Sequence, residues 1–154
     1  MNDKSIPLGY ANGLLFELEK AFWDERGRGA RFRTTTVGQE FFRERCLPEI
    51  RSGEMDKILD ALKDVLRRES VVDEIAYTRE DRLLRVRVQG CIHRAVEDKL
   101  IAQGVEPFTC IPANLIALAI EDKLDRPVEL AEIKVESDAC QLLLVVFEAR
   151  PTLE

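Results

Sequence analysis

The spacing of the apolar residues changes three times along this chain, and these changes restrict the fold more than any other feature. Helical spacing, with apolar residues every three or four positions, holds as far as Arg68. A period of two then predicts a hairpin, two further helices follow, and a second hairpin closes the sequence. The predicted helices span 8–24, a segment that starts at 36, 55–68, 92–102 and 112–124, and the predicted strands span 71–77, 84–88, 129–136 and 140–148. The order ααα-ββ-αα-ββ predicts an α+β fold, with helices packed on a mainly antiparallel four-stranded sheet.

Local signals refine several of these elements. Thr36 and Gln39 fit a capping box at the start of the second helix. Pro48 is predicted to disrupt that helix, because proline lacks a backbone N–H and its ring clashes with the preceding turn. The predicted apolar face of the first helix consists of Leu14, Leu15, Leu18 and Phe22. The predicted buried face of the strand at 84–88 consists of Leu84, Val86 and Val88.

The chain is acidic and has the size of one domain. It has 154 residues, of which 45% are hydrophobic, so we expect residues 1–154 to form a single domain around one core. The net charge of −6 argues against binding to nucleic acid or to an anionic membrane surface, since both favour a basic face. No stretch approaches the roughly 20 apolar residues that a membrane-spanning helix needs.

The N-terminus and the cysteines together indicate a compartment. Residues 1–5 lack the charged and apolar regions of a secretory signal, which predicts a cytoplasmic location. In that reducing compartment the cysteines are expected to be thiols or metal ligands rather than disulfides. The four cysteines are Cys46, Cys91, Cys110 and Cys140. Cys46 lies in the second helix and is interpreted as packing.

Three short segments in the second half carry a resemblance to a known family. One strand ends in Val88-Gln89-Gly90-Cys91, Pro107-Phe108-Thr109-Cys110 leads into an apolar helix, and Cys140-Gln141-Leu142 lies on the last strand. With these segments, the stretch 83–147 resembles the 4-vinyl reductase domain family, a set of predicted small-molecule or hydrocarbon-binding domains. The family usually has a glycine-aspartate hairpin between two cysteines near its end. Here the turn is Ser137-Asp138-Ala139, and Cys140 alone is present.

The resemblance implies properties that the residues by themselves do not. It implies a fold like that of the subunits of vesicle-tethering transport particles, and a homodimer formed through the first and third helices. It also implies a ligand-sensing or accessory role, with zinc bound by cysteines in some members. The cysteine placement is similar, too, to that of thiazoline-carboxylate hydrolase-like proteins, which implies a thiol-dependent enzyme as an alternative.

Cys91, His93, Cys110 and Cys140 form a candidate metal site. Thiolate sulfur and neutral imidazole are the ligands that zinc prefers, and three thiolates with one imidazole would complete a tetrahedral site. His93 is the only histidine in the chain. Against this hypothesis, Cys91-x-His93 is not a standard zinc pair and the chain has no Cys-x-x-Cys motif. The alternative is that these cysteines are small buried hydrophobic residues.

Cys110 is also the candidate nucleophile, with His93 as its base. Its position just before Pro112 predicts a helix N-terminus, where free amides and the helix dipole lower the pKa of a thiol. No third residue that would orient His93 can be named from the sequence. The chain shows no phosphate loop, dinucleotide fingerprint, serine nucleophile elbow or His-Glu-x-x-His motif. Most of its other carboxylates, a group that includes Glu97, are expected on polar helix or strand faces, and no pair of them can be assigned as acid and base.

An apolar pocket beside Cys110 is the predicted ligand site. Its predicted lining consists of Phe108, Cys110, Leu115, Ile116, Leu142 and Leu144. The alternative for each of these residues is core packing. We therefore expect a module that binds a small, mainly apolar molecule and acts through a protein partner, rather than a self-sufficient enzyme.

A basic loop follows the first helix. Its four arginines are Arg26, Arg28, Arg31 and Arg33. They would suit a phosphate, a carboxylate or an acidic protein partner. The alternative, which charge runs usually favour, is a solvated loop whose arginines pair with nearby acids.

Overall fold

The computed structural model describes residues 5–149 and confirms the predicted α+β fold. The helices are α1 (Leu8–Arg26), α2 (Gln39–Phe41), α3 (Met55–Arg68), α4 (Arg94–Ala102) and α5 (Ile111–Leu124). The strands are β1 (Glu74–Glu80), β2 (Leu83–Gln89), β3 (Val128–Val135) and β4 (Cys140–Val146). Within residues 5–149, no helix combines the length and the apolar character needed to cross a membrane.

The four strands form one antiparallel sheet in the order β1-β2-β4-β3. Strand β2 is central, and its register pairs Ile75 with Val88 on one side and Val86 with Leu142 on the other. Leu84, Val86 and Val88 are buried, as their alternation predicts, while Arg85 is exposed. One face of the sheet is therefore covered and the other meets solvent.

Helices α3 and α5 cover the buried face of the sheet and form the main core with it. On α3 every predicted apolar position is at most 3% exposed. These positions are Ile58, Leu59, Leu62, Val65 and Leu66. Each such side chain contributes about 1.5–3 kcal/mol on burial, so this helix is fixed mainly by its apolar face.

A second, smaller cluster lies between α1 and α4. Val96 and Leu100 of α4 are completely buried there, and Phe108 packs against both Phe22 and Trp23 of α1. The Trp23 and Phe108 rings are stacked, with centroids 5.6 Å apart. This cluster fixes α1 over one end of the sheet, where the candidate site lies.

The predicted apolar face of α1 is wrong in part. Leu15 and Phe22 face inward, but Leu14 and Leu18 are 45% and 70% exposed. The buried residues of α1 are Asn12 and Glu19. The reason is that apolar residues occupy most sides of this helix, so their spacing does not identify the inner face.

The predicted capping box is also wrong. Helix α2 begins at Gln39, and Gly38 precedes it in the left-handed conformation with φ of 105°. Thr36 contributes its carbonyl oxygen, which accepts the Gln39 amide at 3.0 Å. Helix α2 continues as a π turn, Phe42–Cys46, and ends in a 3-10 turn, Leu47–Glu49, that contains the disruptive Pro48. The glycine adopts the positive φ, so the chain enters α2 without a side-chain cap.

Candidate functional site

A cavity of about 330 Å³ lies between α1, α4, the start of α5 and one end of the sheet. Its walls are mainly apolar and include Leu15, Phe22 and Phe108. Leu18 and Val37 also border it, and both are well exposed, so they mark its mouth. The cavity falls within the size range of small-molecule sites and has the few polar groups such sites use for orientation.

The β2–α4 connection and the ends of two other elements bring the polar groups to this cavity. Cys91 and His93 lie in the connection, which turns at Gly90 with φ of 66°. Cys110 is the residue that precedes α5, and Cys140 begins β4, where it pairs with Val88. All of these, Gly90 excepted, border the cavity.

The structure brings some of the predicted ligand residues together and separates others. Phe108 and Cys110 line the cavity. The other four lie in the main core and do not border the cavity. These are Leu115, Ile116, Leu142 and Leu144. Cys140, Leu142 and Leu144 share one face of β4, but the cavity lies at the Cys140 end, so the later residues pack under α3 and α5 instead.

The four predicted zinc ligands, Cys91, His93, Cys110 and Cys140, line one cavity, and all four cysteines of the chain are free. In the described part of the chain, no group of three or more His, Cys, Asp or Glu residues is arranged to hold a metal ion. Zinc binding by this set therefore stays a prediction.

Burial, rather than the helix start, decides the pKa of Cys110. The Ala113 amide at the start of α5 lowers that pKa, but desolvation of the thiol is the larger effect and raises it well above the ordinary value. Burial likewise raises the pKa of Cys91 to about 11. The shift of Cys110 is thus opposite in direction to the one expected from its position, and both thiols are neutral at pH 7.

Asn12 orients His93, a role that no sequence motif indicated. The Asn12 side-chain amide donates to the Ile92 carbonyl oxygen at 2.7 Å. Its Oδ1 then accepts from Nδ1 of His93, with the two atoms 3.1 Å apart. Because Nδ1 carries the proton in this arrangement, Nε2 keeps its lone pair. Burial lowers the pKa of His93, which keeps the imidazole neutral.

Two buried carboxyls, Glu19 of α1 and Glu97 of α4, are the least expected residues of the site. Each is 8% exposed and each borders the cavity. Burial raises the pKa of Glu19 to about 7. Burial, and then the charge of Glu19, raises the pKa of Glu97 to about 8. Glu97 is therefore an exception to the expectation that most carboxylates lie on polar faces, since α4 packs toward α1.

A signal for one of these carboxyls does exist in the sequence. Asn12, Leu15, Glu19 and Phe22 are spaced three or four apart and lie on one face of α1. A polar residue within such a series marks either an exposed face or a polar group held in the interior. The sequence does not distinguish these two cases, because it does not show which face the rest of the chain covers.

The basic loop forms a 3-10 segment, Gly27–Phe32, and two of its arginines make contacts within the chain. Arg28 lies 3.5 Å from Glu106, in an exposed pair. Arg31 donates to the Leu130 carbonyl oxygen at 3.0 Å and lies over the Phe32 ring. These contacts within the chain favour the solvated-loop alternative over ligand binding for Arg28 and Arg31.

A scan against protein-family models finds no match, and a search of curated proteins finds none either.

Proposed function

We propose that this protein is a binding module that holds a small, mainly apolar molecule in the cavity between α1, α4 and the start of α5. One observation carries the proposal: the apolar cavity is bordered by Glu19, a buried residue whose Oε1 has no hydrogen-bond partner among residues 5–149. Buried polar atoms are nearly always satisfied, so an unsatisfied carboxyl beside a cavity indicates a place for a ligand. We also propose that the protein lies in the cytoplasm and acts on a protein partner when the ligand is bound.

The state of the thiols supports a binding site over a thiol enzyme. A nucleophilic cysteine needs a thiolate at working pH, whereas burial raises the pKa of Cys110 well above its ordinary value. Zinc remains the second candidate because four suitable donor side chains border one cavity. Zinc would have to displace protons from three neutral thiols, so its binding would be strongly pH-dependent.

The test of the cavity is a titration with a neutral apolar probe, 1-octanol, followed by calorimetry. We expect saturable binding with one site per chain. The substitution Leu15→Phe adds bulk to the cavity wall and is expected to weaken binding at least about tenfold, which is 1.4 kcal/mol. Ile101→Phe, on the exposed side of α4 and away from the cavity, is the matched control and should bind normally. Absence of saturable binding, or equal binding by both variants, would exclude the cavity as the site.

A zinc measurement on the same preparation distinguishes the zinc site from the apolar-ligand site. The protein, purified without added metal, is assayed for zinc and for free thiols before and after chelation. One zinc per chain, with thiols released by the chelator, would favour the metal site over the apolar ligand. A metal-free protein with four free thiols that binds 1-octanol would favour the module proposed above.

The proposal includes a second copy of the chain as a partner, with α1 as the contact. Tyr10, Leu14 and Leu18 follow one another at four-residue intervals and are 64%, 45% and 70% exposed, which forms an apolar stripe on the outer side of α1. The outer side of α3 is charged, with Lys57 and Asp64 both exposed, so α3 is less suited to the contact. A helix stripe can pair with the same stripe of another copy across a two-fold axis.

A further inference from the structure

Among residues 5–149, no basic side chain forms an ion pair or a hydrogen bond with either of the two buried carboxyls that border the cavity, and Arg94 acts on Glu97 only through its charge, which lowers that pKa. Glu19 and Glu97 border the cavity from two different helices, and the charge of Glu19 contributes to raising the pKa of Glu97. A buried carboxylate costs several kcal/mol of free energy unless it is paired or protonated. Glu19 is buried, and its Oε1 receives no hydrogen bond from residues 5–149.

The basic residues of the neighbouring helices are engaged elsewhere. Arg94 on α4 donates to Asp98 at 3.1 Å and to the carbonyl oxygen of Glu136. Lys99 lies over the Phe16 ring, and Lys20 on α1 pairs with Asp24 at 2.6 Å. None of these three bonds to Glu19 or Glu97.

The remaining titratable groups around the cavity add no positive charge. His93 is neutral and held by Asn12. Burial raises the pKa of the thiols of Cys91, Cys110 and Cys140, which keeps them protonated. The lining of the cavity is therefore mainly apolar, and its acidic groups are Glu19 and Glu97.

We propose that the ligand is a primary amine on an apolar body, and that its ammonium group is bound by Glu19 and Glu97. This inference rests on the function proposed for the cavity and specifies the class of molecule it takes. An ammonium group has three N–H donors and no acceptor, so it can donate to both carboxylates at once. A carboxylate-bearing or phosphate-bearing ligand would be repelled by the same pair. The Phe22 and Phe108 rings in the wall accommodate the apolar body.

The size of the cavity sets the length of the probe. A cavity of about 330 Å³ lies near the lower end of the range for small-molecule sites, so a short chain with one head group is the suitable probe. We therefore choose n-octylamine, 1-octanol and octanoate, which each contain eight carbons and differ in the charge of the head group.

The test compares these three probes by calorimetry, with Trp23 fluorescence as a second readout. Trp23 is the only tryptophan of the chain, and its ring stacks on Phe108, which lines the cavity. We expect octylamine to bind about tenfold or more tightly than 1-octanol at pH 8, and octanoate to bind most weakly. Amine binding should strengthen as the pH rises from 6 to 8, because the carboxyls lose their protons over that range.

Two substitutions and one control assign the effect to the carboxyls. Glu19→Gln and Glu97→Gln preserve the shape of the side chain and should remove the preference for octylamine while 1-octanol still binds. Glu17→Gln removes a carboxyl from the exposed side of α1 and should change nothing. The pH series on the unaltered protein tests the same point without any substitution, so a variant that fails to fold does not leave the question open.

The outcomes separate the two proposals. Equal binding of octylamine and 1-octanol, without a pH dependence, would overturn the amine inference and leave the apolar cavity in place. A preference for octanoate would overturn it as well. Failure of all three probes to bind would overturn both the amine inference and the proposed function.

Discussion

At the scale of single residues, Glu19 links stability to ligand binding. Its pKa rises from an ordinary 4.5 to about 7 because burial penalises the charged form. The folded state therefore binds this proton more tightly than the unfolded chain does. The tighter binding of this proton by Glu19 stabilises the folded state. This stabilisation is complete below about pH 4.5 and is lost as the pH rises to about 7.

Glu19→Gln should reverse that loss. We expect the variant to exceed the unaltered protein in free energy of unfolding by about 2 kcal/mol at pH 8, and the difference to vanish near pH 4.5, because an amide does not ionise. Urea denaturation at a series of pH values measures this difference directly.

The control for this experiment is Glu17→Gln, where the carboxyl is exposed and its removal should have little effect at any pH. His93 acts in the opposite direction, since its lowered pKa favours the folded state as the pH rises, but it is present in both proteins and cancels in the difference. A Glu19→Gln difference that is the same at pH 5 and pH 8 would show that Glu19 is not protonated on folding.

At the scale of elements, the β2–α4 connection holds the site together. Gly90 lies at its start with φ of 66°, in the left-handed region. A Cβ on Gly90 would lie 2.7 Å from the Cβ of Asp73, closer than non-bonded carbon atoms approach. The next residues are Cys91 and His93, so a change in this turn would move two side chains of the cavity wall.

Gly90→Ala should cost about 3 kcal/mol or more, from the backbone conformation and the clash together, and should weaken binding of 1-octanol. Gly104→Ala is the matched control, because Gly104 also has a positive φ, 75°, but nothing lies within 4 Å of the added Cβ. We expect the control to cost about 1–2 kcal/mol and to bind the probe normally. Thermal and urea denaturation, with calorimetry of binding, distinguish the two variants; equal losses would mean that Asp73 moves aside freely.

Elements with one clear apolar face could be predicted from the sequence, and elements without one could not. Helix α3 is observed at the predicted bounds, 55–68, because it buries a single apolar stripe against the sheet, and β2 alternates as predicted because it buries one face under the helices. Helix α1 has apolar residues on several sides, so its inner face was mispredicted. Glu19 and Glu97 are part of the site because of how α1 and α4 pack together, and such long-range packing leaves no local spacing signal.

The cysteines and His93 show the same limit at the site. Their types suggested a shared location, and the cavity does bring Cys91, His93, Cys110 and Cys140 to one place. The pKa of Cys110 depended instead on how deeply the fold buries its thiol, which the helix-start position does not reveal. Residue type therefore predicted which side chains lie together, and burial determined the pKa of the Cys110 thiol.

At the scale of the whole molecule, the apolar stripe of α1 and the cavity are neighbours. Leu18 belongs to both, since it is 70% exposed and borders the cavity mouth. A second copy packed along Tyr10, Leu14 and Leu18 would therefore cover the mouth as well as the stripe. On this view the two-fold contact and the binding site depend on each other.

The substitution Leu14→Lys should dissociate such a dimer, because it places a charge in the centre of the apolar contact. Leu14 does not border the cavity, so the change acts on the contact and not on the wall. Sedimentation equilibrium should give twice the chain mass for the unaltered protein and a single chain mass for the variant.

The matched control is Ile101→Lys on α4, because Ile101 is 48% exposed, close to the 45% of Leu14, but lies outside the stripe. It should sediment as the unaltered protein does and keep the same melting temperature, because its side chain is exposed, whereas Leu14→Lys should lose the stabilisation that the dimer provides. If the unaltered protein is monomeric at all concentrations, α1 does not pair with a second copy, and its exposed leucines would have to be explained by access to the cavity alone. If the dimer forms and Leu14→Lys leaves it intact, a different face makes the contact, and the cavity mouth remains open in the dimer.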